Sequence, residues 1–177
     1  MEKIKSIDKL IYILENCESS DFHKIPRSID IPVESFNEFA HFSDQFYTRN
    51  CIAKNTDFEL LLLCWNPGQK TPIHCHDSQE CWVMMIDGEL EEDKYSFEEN
   101  ASLPKKINQS QLYGSQISFM SDDLGYHLLG NIKSKKAMSL HLYVNPINKC
   151  STLCPDTGEI KWIETSYHSY KGELVNN

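Results

Sequence analysis

The sequence predicts a mainly β fold, an antiparallel barrel or double-sheet jelly roll behind short N-terminal α-helices. Three observations carry this. From Tyr47 onward the chain breaks into about ten short runs rich in β-branched, aromatic and leucine residues. Turn sequences punctuate them at Asn66-Pro67-Gly68, Asp87-Gly88 and Asp156-Thr157-Gly158. No helical pattern alternates with them, so the crossover helices of a parallel sheet are missing.

Taken in order, Ile4, Ile7, Leu10, Ile11 and Leu14 recur at three- and four-residue spacing, which predicts a first helix with one apolar stripe. Val33, Phe36, Phe39 and Ala40 predict a second, with Asp30 as its cap and Pro32 in its first turn. Neither stripe carries chemistry, so residues 1–44 are expected to form a helical layer packed on a sheet. Strands are expected at 47–54, 58–65, 71–76, 81–87, 89–97, 106–113, 116–120, 125–131, 137–144, 148–154 and 159–166, which makes 45–170 the barrel. A chain of 177 residues closes one core, and a second domain would leave both undersized, so 1–177 is expected to be a single domain.

Composition narrows the function. The net charge of −9 gathers neither nucleic-acid phosphate nor anionic lipid, and the expected partner is a small molecule. Seven cysteines cannot all pair internally, and the charge-broken apolar run before Cys17 that holds Ile11 to Leu14 is too short for a signal peptide. A cytoplasmic protein with reduced thiols is expected. Even a run as long as Leu60 to Trp65, which no other apolar run exceeds, falls far short of the ~20 residues of a spanning helix. Nothing demands a second copy, so a monomer is expected.

The chemistry concentrates in histidines. His74 and His76 stand two residues apart on an expected strand, where alternation turns both to one face in a chelating arrangement. His127 lies on another strand that a barrel can bring alongside. Three neutral imidazoles suit a divalent first-row metal and leave positions open for substrate, although imidazole suits iron, zinc, nickel and manganese alike. Ser139, His141 and Tyr143 also share a face at i, i+2 and i+4, either lining a cavity or meeting solvent, with Leu140 and Leu142 turned to the core.

The spacing Gly68-x5-His74-x-His76-x4-Cys81-x6-Gly88, followed by His127-x3-Asn131, resembles the paired motifs of the cupin superfamily, small barrels with a metal inside. Cys81 occupies the position of a carboxylate ligand usual in the first motif. More specifically, Tyr47-Thr48-Arg49-Asn50, Leu63-Cys64-Trp65, Ile73 to Cys81, and Ser139-Leu140-His141-Leu142-Tyr143 resemble the cysteine dioxygenase family. The resemblance implies a cupin barrel preceded by short helices, with Fe(2+) held by His74, His76 and His127. It implies Arg49, beside Tyr47, as the partner of a substrate carboxylate. It implies that Cys81 and Tyr143 are the pair joined in animal members by a thioether, and that Ser139, His141 and Tyr143 form a hydrogen-bonded series orienting the tyrosine hydroxyl. Where animal members commonly carry a serine and two prolines, this chain has Val144-Asn145-Pro146.

The function so implied is an iron(II) thiol dioxygenase converting L-cysteine and O2 to cysteine sulfinic acid. Its rivals are a dioxygenase for 3-mercaptopropionate or cysteamine, a zinc or nickel hydrolase or isomerase, and a non-catalytic metal-binding sensor. Of the other cysteines, Cys75 should point away from the ligands and pack, Cys17, Cys51 and Cys64 are expected to be structural, and Cys150 matches a thiol near the family's active-site opening. His23 and His41 belong to the helical layer, and His168 has no assignment.

Overall fold

The computed structural model describes residues 2–76, 78–97 and 103–175; residues 1, 77, 98–102, 176 and 177 of the expected single domain lie outside them. The first expected helix is present as α1, Ile7–Asn16, and Ser6 caps it by accepting from the Lys9 amide at 3.2 Å. Ile7, Leu10 and Leu14 form its buried stripe.

The second expected α-helix is instead a 3-10 helix, Val33–Phe39. Val33, Phe36 and Phe39 recur at a strict interval of three, the period of the tighter helix, and Phe36 and Phe39 are its buried residues. Asp30 does not cap it. Pro32 stands at the N-cap without a side-chain bond, while Asp30 pairs with Lys5.

The strands are β1 Thr48–Lys54, β2 Phe58–Trp65, β3 Ile73–His74, β4 Cys81–Asp87, β5 Glu89–Ser96, β6 Lys105–Tyr113, β7 Ile117–Met120, β8 Tyr126–Gly130, β9 Ala137–Val144, β10 Lys149–Leu153, β11 Ile160–Glu164, β12 Ser169–Tyr170 and β13 Glu173–Leu174. They form a seven-stranded sheet, β13-β12-β1-β2-β9-β4-β7, and a six-stranded sheet, β11-β10-β3-β8-β5-β6. All pairings are antiparallel except that of β1 with β12. The expected strand 71–76 shrinks to Ile73–His74, because Pro72 has no amide to donate and interrupts the ladder. The short β12 and β13 beyond 166 were not expected.

Strand β2 shows how the layers assemble. Phe58, Leu60, Leu62 and Cys64 join Leu10, Leu14, Phe22 and Phe36 in a core between the seven-stranded sheet and the N-terminal layer. Leu61, Leu63 and Trp65 point the other way and pack with Cys81, Val83, Leu90 and Leu129 between the two sheets. Burial on both faces explains the continuous apolar run. Strand β9 divides identically, with Met138, Leu140 and Leu142 toward the helical layer. Ser139, His141 and Tyr143 therefore face the space between the sheets, buried, and the solvent-facing alternative does not hold.

The expected turn at Asp87-Gly88 joins β4 to β5. Gly88 sits at φ +75, and a Cβ there would lie 2.8 Å from the Lys136 carbonyl oxygen, so conformation and space both require glycine.

Candidate metal centre and substrate cavity

The two sheets enclose a cavity of about 280 Å³, near the lower end of small-molecule sites at roughly 300 Å³. The six-stranded sheet supplies the histidines. His74 on β3 is paired in register with His127 on β8, and His76 lies just past the end of β3. The shortened strand still brings the two neighbours together, and the ligand atoms of His74, His76 and His127 all lie within 4.8 Å of one another.

Their hydrogen bonds fit a cation. His74 Nδ1 donates to the Pro72 carbonyl at 3.0 Å, and His127 Nδ1 donates to Glu92 Oε1 at 2.9 Å, so each ring keeps an Nε2 lone pair. His127 Nε2 and His76 Nε2 stand 3.0 Å apart. Two nitrogens about 2.1 Å from a shared ion would be separated by roughly that distance at a right angle. Burial holds the His74 ring down to about 4 and pushes His76 and His127 well below the ordinary imidazole value, so all three are neutral, as ligands must be. Glu92 is itself buried and accepts from the Ser118 hydroxyl at 2.7 Å. Burial lifts its carboxyl above the usual carboxylate range.

The seven-stranded sheet supplies the opposite wall. Arg49 on β1 lines the cavity, and its Nη2 donates to Glu59 Oε2 on β2 at 3.4 Å, while its Nε, buried, has no hydrogen-bond partner among the described residues. Five donors in a planar fork with one weak internal contact leave capacity for a bound carboxylate. Tyr47 also lines the cavity and stacks on Trp65, ring centroids 4.8 Å apart. Burial raises the Tyr47 phenol, which stays protonated at neutral pH.

Strand β9 completes the wall. Trp65 Nε1 donates to Ser139 Oγ at 2.9 Å, and Ser139 Oγ then donates to His141 Nε2 at 2.9 Å. That chain places the His141 proton on Nδ1, a buried atom without a partner among the described residues, on a ring that lines the cavity. Burial holds this ring down to about 3, so it serves as a neutral donor. The chain differs from the expected series at its end, since among the described residues no hydrogen bond joins His141 to Tyr143. Their rings stack with centroids 6.2 Å apart because i and i+2 stand side by side on a strand.

Tyr143 lies directly opposite Cys81 in the β9–β4 register, on the face turned to the space between the sheets. Burial raises both groups, so neither ionises in the closed site. The Tyr143 ring meets the edge of His76 at 5.4 Å between centroids.

Among the remaining cysteines, Cys75 bonds to Ser151 Oγ at 2.8 Å, while burial pushes the thiols of Cys51 and Cys64 up to about 12, all consistent with packing roles. Cys150 and His168 line the cavity. His41 donates to the Gly172 carbonyl at 2.9 Å and His23 to the Ser20 carbonyl at 2.7 Å, both away from the site. Sequence reasoning overlooked Glu92, Glu59 and Tyr167. Glu59 carried a signal, being the lone acid in the run from Phe58 to Trp65.

Comparison with known proteins bears on this geometry. Two solved structures share the fold: a Klebsiella pneumoniae protein with a double-stranded β-helix domain, at TM-score 0.51 and 16% identity over 74% of this chain and 96% of that one; and a Thermus thermophilus protein, at TM-score 0.50 and 15% identity over 62% and 93%. The Danio rerio cysteine dioxygenase type 1 is 29% identical over 181 residues, covering 97% of this chain and 90% of its own. The Homo sapiens protein of that name is 32% identical over 142 residues, covering 78% and 71%. The family model for cysteine dioxygenase type I matches residues 4–154, a span that holds the three histidines and the facing wall of Arg49, Cys81 and Tyr143, and the chain belongs to that family.

Proposed function

We propose that the protein is an iron(II) dioxygenase that converts L-cysteine and O2 to cysteine sulfinic acid, with both oxygen atoms ending on sulfur. One observation carries the reading: three neutral imidazoles converge on one wall of a small cavity, and a guanidinium with free donors stands on the other. Thiol and amine ends of the substrate face the histidines, and its carboxylate faces Arg49. Bound iron would supply electrons to activate O2 beside the substrate thiolate.

The chain's own groups do the rest. Arg49 and Tyr47 hold the carboxylate, which fixes the sulfur near the histidines. His141 Nδ1 and the Tyr143 hydroxyl donate hydrogen bonds into the space where oxygen and the substrate head group meet. The Leu61, Leu63 and Leu129 side chains keep the interior dry around them. The protein is read as a monomeric enzyme of the reducing cytoplasm, in keeping with seven cysteines that are all free thiols.

The decisive test is anaerobic iron loading followed by isotopically labelled O2 and L-cysteine. One O2 consumed per cysteine, with both labelled atoms in the sulfinic product, is the expected result. Cystine as the only product, or no oxygen uptake, would overturn the reading.

The placement of Cys81 against Tyr143 supports a thioether between sulfur and the ring carbon beside the hydroxyl. Forming it removes one hydrogen from the thiol and one from the ring, and O2 takes the two electrons. Intact-mass analysis after turnover is expected to show protein lighter by two hydrogens, and this species should be missing from Cys81→Ser.

A further inference from the structure

We propose that Glu59 and Tyr167 are positioning residues that fix how Arg49 presents its guanidinium, and thereby make the cavity select thiols that bear a carboxylate. The inference rests on the cysteine dioxygenase reading above, and names residues that set the substrate class of that site.

Glu59 is unusual for its place. It sits in a strand buried along its whole length, and its side chain is 0% exposed. Three donors converge on its carboxylate: Arg49 Nη2 at 3.4 Å and the Ile147 amide at 3.3 Å on Oε2, and the Tyr167 hydroxyl on Oε1. A buried carboxylate is costly to desolvate, and an apolar residue would fill this position in β2 at less expense. The arrangement makes sense as a brace. An arginine side chain otherwise sweeps its fork through many rotamers; here Oε2 fixes one of its edges.

Tyr167 closes the brace from the other side. Its ring lies 5.8 Å from the Arg49 guanidinium carbon, and its hydroxyl is bound to the same carboxylate that Arg49 engages. Tyr167 is itself held: Lys54 Nζ donates to its hydroxyl at 3.2 Å, and the neighbouring His168 amide donates to the Arg49 carbonyl at 2.8 Å. Backbone and side chain of Arg49 are thus tied to one short segment.

Charge sharpens the argument. Glu59 balances Arg49, so the pair has little net attraction for an anion, and a substrate carboxylate must be recognised through the donors the brace leaves free, Nε among them. Were Glu59 acting only through its charge, removing that charge would strengthen carboxylate binding whatever replaced it. As a positioning group, it must keep an acceptor in place. Glu59→Gln and Glu59→Ala separate these roles, because the amide oxygen still accepts from Arg49 and alanine does not.

The test is anaerobic isothermal titration of the iron-loaded protein with L-cysteine and with cysteamine, alongside kcat and KM for L-cysteine. Tyr167→Phe and Glu59→Ala are expected to weaken L-cysteine binding about 5- to 20-fold and leave cysteamine binding within about twofold. The loss should fall on KM more than on kcat, and Glu59→Gln should remain within about threefold of the parent for L-cysteine. Glu59→Ala strands a buried guanidinium and risks misfolding, so Tyr167→Phe, which keeps the ring, decides independently. Equal losses for both thiols, unchanged L-cysteine binding in Tyr167→Phe, or Glu59→Gln behaving as Glu59→Ala would each overturn the proposal. If the parent protein does not oxidise L-cysteine, the functional reading itself falls; if it does and the variants bind both thiols as the parent does, only the brace falls.

Discussion

His127→Ala is expected to leave the protein unable to retain metal through dialysis. Structural zinc sites with four ligands have apparent binding energies of about 10–16 kcal/mol, or about 2.5–4 kcal/mol per ligand, so losing one histidine costs roughly two to three powers of ten in affinity. His74→Ala and His76→Ala should behave alike, since the three ligand atoms converge within 4.8 Å. Glu92→Gln should be milder, roughly 10- to 100-fold, because it alters the acceptor that holds the His127 ring without removing a ligand. Elemental analysis after dialysis reads both effects. Full metal occupancy in any of the three alanine variants would remove that histidine from the ligand set, and Glu92→Gln matching an alanine variant would make Glu92 more than a support.

Arg49→Ala should raise KM for L-cysteine far more than for cysteamine. Truncating one partner of a buried, hydrogen-bonded charge pair costs about 2–4 kcal/mol, or roughly 30- to 1,000-fold in KM. The substitution also strips Glu59 of its cation, so part of any loss could come from a buried unpaired carboxylate. Arg49→Ala combined with Glu59→Gln removes that complication and should keep the same discrimination between the two thiols. Arg49→Lys should fall between, since an ammonium restores charge without the planar fork. Equal KM changes for both thiols would show that Arg49 does not contact the carboxylate.

How legible was all this? Turn chemistry and apolar runs located most strands to within one or two residues, and the spacing of His74, His76 and Cys81 pointed to the site before any distance was known. The limits have physical causes. A helical period of three and one of 3.6 look alike over seven residues, which is why Val33–Phe39 read as an α-helix. Alternation along β9 separated Ser139, His141 and Tyr143 from Leu140 and Leu142, but it could not say which set faced chemistry, because both faces of a central strand are buried. Glu92 was masked by Glu89, Glu91 and Asp93 around it, although it shares its face with buried Leu90. Tyr167 follows the last of the expected strands, where only tertiary folding brings it beneath Arg49.

The two-sided burial of the seven-stranded sheet has a consequence for how readily this enzyme can change. Its outward face, anchored by Leu60, Leu62, Leu140 and Leu142 against the N-terminal layer, is mainly apolar in that contact and carries none of the proposed catalytic groups. The inward face of the same strands is freed from supplying most of that cohesion, and can tolerate the arginine Arg49, the acid Glu59, the imidazole of His141 and the phenol of Tyr143. Stability and specificity are thereby written on opposite sides of one sheet, on alternate residues of the same strands. Substitutions at odd-numbered positions of β9 and β2 can retune what the cavity accepts while the even-numbered positions keep the barrel standing.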